Sequence, residues 1–154
     1  MAKRRDKIRL APEELEAFIE EQKSLQVATI NQDGTPHLST LWFAVVDGDI
    51  VFETYTKSQK IKNLERDNRI ALLLEDGLEY DKLRGVAING QAELHTDPEV
   101  VHRYALEVMV RNNPDVDREM LSNAAEHMAL KRTAVVIKAE KTISWDHTKL
   151  GGSY

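Results

Sequence analysis

The chain has 154 residues, 42% hydrophobic and 31% charged, a balance that suits one domain with its own core. Its formal net charge of −5 argues against general nucleic-acid binding, and no apolar run is long enough to span a bilayer. The sequence contains no cysteine, which excludes disulfides, thiolate nucleophiles and zinc–cysteine sites; the basic start MAKRRDKIRL has no apolar export signal, and a cytoplasmic protein is expected.

Residues 1–9 read as a mobile basic tail. Leu15, Phe18 and Ile19 then recur at helical spacing, after a Pro12 suited to a first turn, so a helix is predicted over residues 12–23. Strands follow at 25–30, 36–46 and 49–55, separated by the turns Asn31-Gln32-Asp33-Gly34 and Asp47-Gly48. A short helix is predicted from Ser58 to Asp67, with Ser58 as N-cap and Ile61 and Leu64 on its inner face. Residues 69–75, RIALLLE, form a continuous apolar run and predict a strand buried on both faces. A long strand spans 83–95; its Gly85 and Gly90 mark a bulge or a close backbone approach. Two helices follow, one opened by Asp97-Pro98 and one over 116–130. The last strand covers 133–145, and the tail beyond it is expected to fray around Gly151-Gly152. Six strands at short spacing predict a small antiparallel barrel with helical decoration: one domain over 1–154, with a helical insertion at 97–130.

Residues 54–69, TYTKSQKIKNLERDNR, carry the chemistry. A strand end, a polar turn and a helix N-terminus place free N–H groups and the positive helix end beside Lys57 and Lys60. Across the segment Lys57, Lys60, Lys62, Arg66 and Arg69 face only Glu65 and Asp67, a basic patch on an acidic protein. That favours a small anionic ligand over a polyanion; the alternative is an ordinary solvated loop. The five histidines have no close pairing, so no metal site is expected.

The order of these pieces resembles the pyridoxamine 5'-phosphate oxidase-like family of flavin- and deazaflavin-binding split β-barrels. QVATINQDGTPHLSTLWF resembles the family's first hairpin, and IVFETYTKSQKIKNLERDNRIALLL its phosphate-binding strand, loop and helix. RGVAINGQAEL resembles the long strand that follows, and KTISWDHTKL the terminal strand of short members. The most specific part is the joint spacing of Ser58, Lys60, Asn63, Leu64 and Arg69. The resemblance implies a mainly β, six-stranded antiparallel split barrel, assembled as a homodimer with cofactor sites at the interface. It also implies FMN in many members and the deazaflavin F420 in others.

On that resemblance Lys57, Ser58 and Lys60, with Gln59 beside them, contact the cofactor phosphate. His37, Leu38, Ser39, Thr40 and Leu41 run along the ring system, and Thr54 and Tyr55 line the ring or ribityl chain. Arg84 and Trp145 are further candidates, each with a plain structural alternative: a surface ion pair for Arg84, a barrel-end plug for Trp145. F420 is preferred to FMN because Lys62, Arg66 and Arg69 extend the positive surface towards its acidic tail. The expected activity is hydride transfer to a small organic acceptor; a non-catalytic cofactor carrier or sensor is the alternative. No general acid or nucleophile stands out. The arginine-rich C-terminal element of true pyridoxamine phosphate oxidases is missing, so the vitamin B6 reaction is not expected. Neither nucleic acid nor membrane is an expected partner.

Overall fold

The computed structural model describes residues 3–151. In chain order the helices are α1 (Arg4–Lys7), α2 (Pro12–Glu21), α3 (Gln59–Arg66), α4 (Pro98–Asn112) and α5 (Arg118–Ala129). The strands are β1 (Ser24–Ile30), β2 (Pro36–Trp42), β3 (Ala44–Val46), β4 (Asp49–Tyr55), β5 (Arg69–Asp76), β6 (Arg84–His95) and β7 (Arg132–Asp146). All pairings are antiparallel, in one curled sheet ordered β2-β1-β5-β6-β7-β4-β3. None of these helices is long and apolar enough to cross a membrane.

The sheet is the expected split barrel, with one correction to the strand count. The second strand, expected unbroken over 36–46, changes neighbours at Phe43. It pairs with β1 as far as Trp42 and with β4 from Ala44 onward, so six expected strands become seven. Phe43 is fully buried at that corner, and the Arg111 guanidinium lies 4.4 Å over its ring. Arg111 also donates to the carbonyls of Ile19 (2.8 Å), Glu20 (3.1 Å) and Gln22 (2.8 Å). It thereby caps the carbonyl end of α2 and fastens α4 to that helix.

The core fills the inner face of the curl. Alternate residues point into it: Leu25 and Val27 from β1, Phe52 from β4, Leu72 and Leu74 from β5, Val86 from β6. Ile61 and Leu64 of α3 close one side. Val108 of α4 packs outside, against Ala44, Val51 and Val136. At the expected glycine bulge the register shifts between Asn89 and Gly90, and a Cβ on Gly90 would meet the Lys138 carbonyl oxygen at 2.3 Å. Asp47 and Gly48 both take positive φ, 53° and 85°, as a tight two-residue hairpin requires.

Three expectations change or fall outside these residues. β5 is buried on one face only: Ile70, Leu72 and Leu74 point inward, while Ala71 and Leu73 are half-exposed on the outer face. Within the expected N-terminal tail, residues 4–7 form a helical turn, and the Ile8 carbonyl accepts from the Asp146 N–H at 2.7 Å. Of the C-terminal tail expected to fray, Asp146 ends β7 and residues 147–150 form a helical turn, with Lys149 donating to the Arg9 carbonyl at 2.9 Å; the fraying expected at Gly152, and the start of the N-terminal tail, lie outside the described residues.

One buried amide sets the position of α3. Asn63 is fully buried; its Nδ2 donates to Thr29 Oγ1 and Asn31 Oδ1, both at 3.0 Å, and its Oδ1 accepts from Gln59 Nε2 at 2.9 Å. Asn63→Leu strips partners from buried polar groups and should lower the unfolding free energy by about 2 kcal/mol. Urea denaturation checks this; an unchanged midpoint would show that the amide network does not hold the helix.

Candidate functional site

The loop between β4 and α3 is fixed by backbone bonds. The Thr56 N–H donates to the Lys131 carbonyl (3.0 Å), and the Ser58 N–H to the Tyr55 carbonyl (2.9 Å). Thr56 Oγ1 lies 2.9 Å from Thr133 Oγ1. Ser58 is the N-cap as expected: its Oγ accepts from the Ile61 N–H at 3.4 Å. The N–H groups of Gln59 and Lys60 then begin the helix with no intrahelical acceptor, and the positive helix end adds to their pull on an anion.

Lys57 is exposed and Lys60 half-buried. Burial lowers the Lys60 pKa below its ordinary 10.5. Among the described residues Lys60 has no carboxylate partner, so this cation is partly removed from water without compensation.

A groove of about 470 Å³ opens beside Lys60, where β2 and β4 approach across the split. β2 contributes Thr40, Leu41 and Trp42; β4 contributes Glu53, Thr54 and Tyr55. Val108, Met109 and Asn113 line it from α4 and the residue after it, Met128 from α5 and Arg132 from β7. Trp42 is 51% exposed and Tyr55 58% exposed, so two rings stand open at its rim. A larger depression, about 670 Å³, lies at the other end of α3. Its Arg66 is bonded to the Ile30 carbonyl and to Asn63, so it offers a weaker anion site than the loop.

The structure thus brings Thr40, Leu41, Thr54, Tyr55 and Lys60 together around one groove, with Lys57, Ser58 and Gln59 at the adjacent turn. Leu38 sits further along β2 on the outer face and is 71% exposed. His37 and Ser39 point to the inner side of β2, opposite Thr29 and Val27. His37 Nδ1 and Ser39 Oγ are buried with no hydrogen-bond partner among the described residues.

Arg84 and Trp145 do not join this groove within one chain; they lie at the opposite end of β7 from Arg132. Arg84 makes two bonds to Asp76, at 3.0 and 2.7 Å, and a third to Glu21 at 3.0 Å, so the ion-pair alternative describes it. Trp145 lies over Gly85: a Cβ there would come within 2.2 Å of the indole. Met109, Met128 and Arg132 were missed. Their helical or strand patterns mark them only as core or surface, and nothing local shows that the insertion folds back onto the split.

A family described as pyridoxamine 5'-phosphate oxidase matches residues 11–146. The crystal structure of a conserved hypothetical protein from Mycobacterium tuberculosis is 42% identical, with a TM-score of 0.90 over 99% of this chain and 95% of that one. A solved F420 reductase is 23% identical, with a TM-score of 0.65 over 82% and 94% of the two chains. The haem storage protein of Vibrio cholerae is 16% identical, with a TM-score of 0.65 over 89% and 96%. No curated protein matches the chain.

The half-buried ammonium of Lys60 gives the loop a pH signature. A bound anion favours the protonated form, so affinity is full at neutral pH and falls as pH rises through the depressed pKa of the free protein. Sulfate keeps its charge over this range and serves as the probe. Calorimetric titration should show the alkaline loss half complete below pH 10.5 in the wild type, and a smaller loss in Lys60→Arg. Lys57→Ala/Lys60→Ala should weaken binding by about tenfold to a hundredfold. A flat wild-type profile, or an unaltered double variant, would place the anion elsewhere.

Proposed function

Since the chain belongs to the pyridoxamine 5'-phosphate oxidase family, we propose that it is an oxidoreductase using a flavin-type cofactor, F420 in preference to FMN, to exchange a hydride with a small organic molecule. One observation carries this reading: Lys60 is half-buried and, among the described residues, has no carboxylate partner; it stands beside the first N–H groups of α3, at the mouth of a groove rimmed by two exposed aromatic rings. An anionic group fits the first part and a flat ring system the second. A bound flavin or deazaflavin supplies the hydride chemistry. Lys57, Lys60 and the first turn of α3 hold its phosphate; Thr40, Leu41, Trp42 and Tyr55 orient its ring; Met109 and Met128 keep water from one side.

Two cations of the basic patch, Arg66 and Arg69, are already engaged within the chain. Arg69 is forked onto Asp67, with contacts of 2.6 and 2.9 Å, and that ion pair lowers the Asp67 pKa to about 2. Arg66 is bonded to the Ile30 carbonyl and Asn63. Lys62 remains exposed on α3 beside the loop for an acidic tail, and the preference rests on it.

We propose further that a second copy covers the outer sheet face. Thr40, Gln26, Leu73, Ala87 and Ile143 follow one another across β2, β1, β5, β6 and β7 on that face. Leu38 and Trp42 extend it, and Ala71 and Leu73 of β5 are half-exposed there. The groove lies at the edge of this face, so a second copy would wall its open side.

Apo-protein titrated with FMN, F420 and a tail-less deazaflavin at matched ionic strength tests the cofactor. F420 should bind most tightly, and sedimentation should show a dimer. Reduction of enones or quinones by the loaded protein would separate enzyme from carrier. Failure of all three cofactors to bind, or a monomer with full cofactor affinity, would contradict the corresponding part.

A further inference from the structure

The groove contains a second cation that the phosphate reading does not use. Arg132 opens β7 as the cross-strand partner of Tyr55. Its Nη1 donates to Glu53 Oε2 at 2.6 Å, and its guanidinium carbon lies 4.4 Å from the centre of the Tyr55 ring. The Glu53 side chain is only 7% exposed. A carboxylate withdrawn from water and a ring beneath fix the guanidinium plane in advance. Only one of its N–H groups has an acceptor among the described residues, and its other nitrogens are not sealed within the protein. Arg132 is one of the residues that line the groove.

The charges in the groove do not balance. Lys60 and Arg132 line it against the single carboxylate of Glu53. Lys60 belongs to the anion site at the start of α3. The remaining Arg132 donors form a planar fork, which matches a carboxylate better than an ammonium does. The neighbouring wall is apolar and adaptable: Val108 and Met109 from α4, and Met128 from α5.

We propose that Arg132 is a second anion-binding group of this groove, which receives a carboxylate distinct from the cofactor phosphate. This rests on the cofactor reading above and deepens it: the acceptor class becomes a small planar acid, with its apolar body against Met109 and Met128. The acidic tail of a deazaflavin carries the same chemistry, and the test separates the two sources.

The full-length protein, free and FMN-loaded, is titrated calorimetrically with cinnamate, and the free protein also with FMN, F420 and a tail-less deazaflavin. The variant is Glu53→Gln/Arg132→Gln, which removes both charges and leaves neither buried alone. If the carboxylate is the acceptor's, cinnamate affinity falls by about tenfold or more while FMN affinity is unchanged. If it is the tail's, only F420 weakens, and the assignment of Arg132 stands with the cofactor as its source. A folded variant that keeps both affinities overturns the proposal, as does a wild type that binds neither cinnamate nor F420. Should the double variant fail to fold, Arg132→Lys keeps the pair with Glu53 but loses the fork, and must show the same selective loss. If no flavin or deazaflavin binds, the cofactor reading fails, yet cinnamate binding to the free protein still decides Arg132.

Discussion

A buried amide holds α3 against the barrel, and the candidate anion site depends on it. Asn63 joins the helix to Thr29 and Asn31 and braces Gln59 one turn earlier. Ile61 and Leu64 add apolar packing, which by itself is non-directional. The hydrogen bonds supply direction, because each must be made at a set angle or a buried polar group is stranded. With the helix so placed, its N-terminus points at the split and Lys60 is carried to the mouth of the groove.

The split follows from strand pairing. β2 leaves β1 as its neighbour at Trp42, and β3 takes up β4 after Phe43. The chain turns this corner on a buried aromatic ring clamped by Arg111. β2 and β4 therefore approach without pairing, and a continuous barrel would have no groove at this point. The α4–α5 hairpin then roofs one side with thioethers. Positive charge from Lys60 and Arg132 enters from two directions, with Glu53 fixing only the second.

Much of this arrangement was legible in local sequence. Ser58 reads as an N-cap because its hydroxyl precedes an i, i+3 apolar pair, and Asp97-Pro98 opens α4 for similar reasons; Asp97 accepts from the Glu99 and Val100 N–H groups. Gly90 announces the bulge of β6. The break at Phe43 was not legible, since an alternating strand reads the same whether it keeps or changes its neighbour. Arg66 and Arg69 read as free positive surface, yet their partners are a carbonyl on β1 and an adjacent carboxylate chosen by rotamer. Asn63 carries family spacing but shows its structural role only once β1 lies beneath it. Arg132 is one cation at the start of a strand until Glu53 and Tyr55 are brought alongside by the β4–β7 pairing.

The position of a bound phosphate distinguishes the two ends of α3. A crystal structure of the protein grown with FMN or F420 answers that directly. The phosphate is predicted within hydrogen-bond reach of Lys60 Nζ and the N–H groups of Gln59 and Lys60, with the ring system along Thr40 to Trp42. A phosphate bound at the far end of α3, among Asn31, Arg66 and Asn68, with Lys60 untouched, would contradict it.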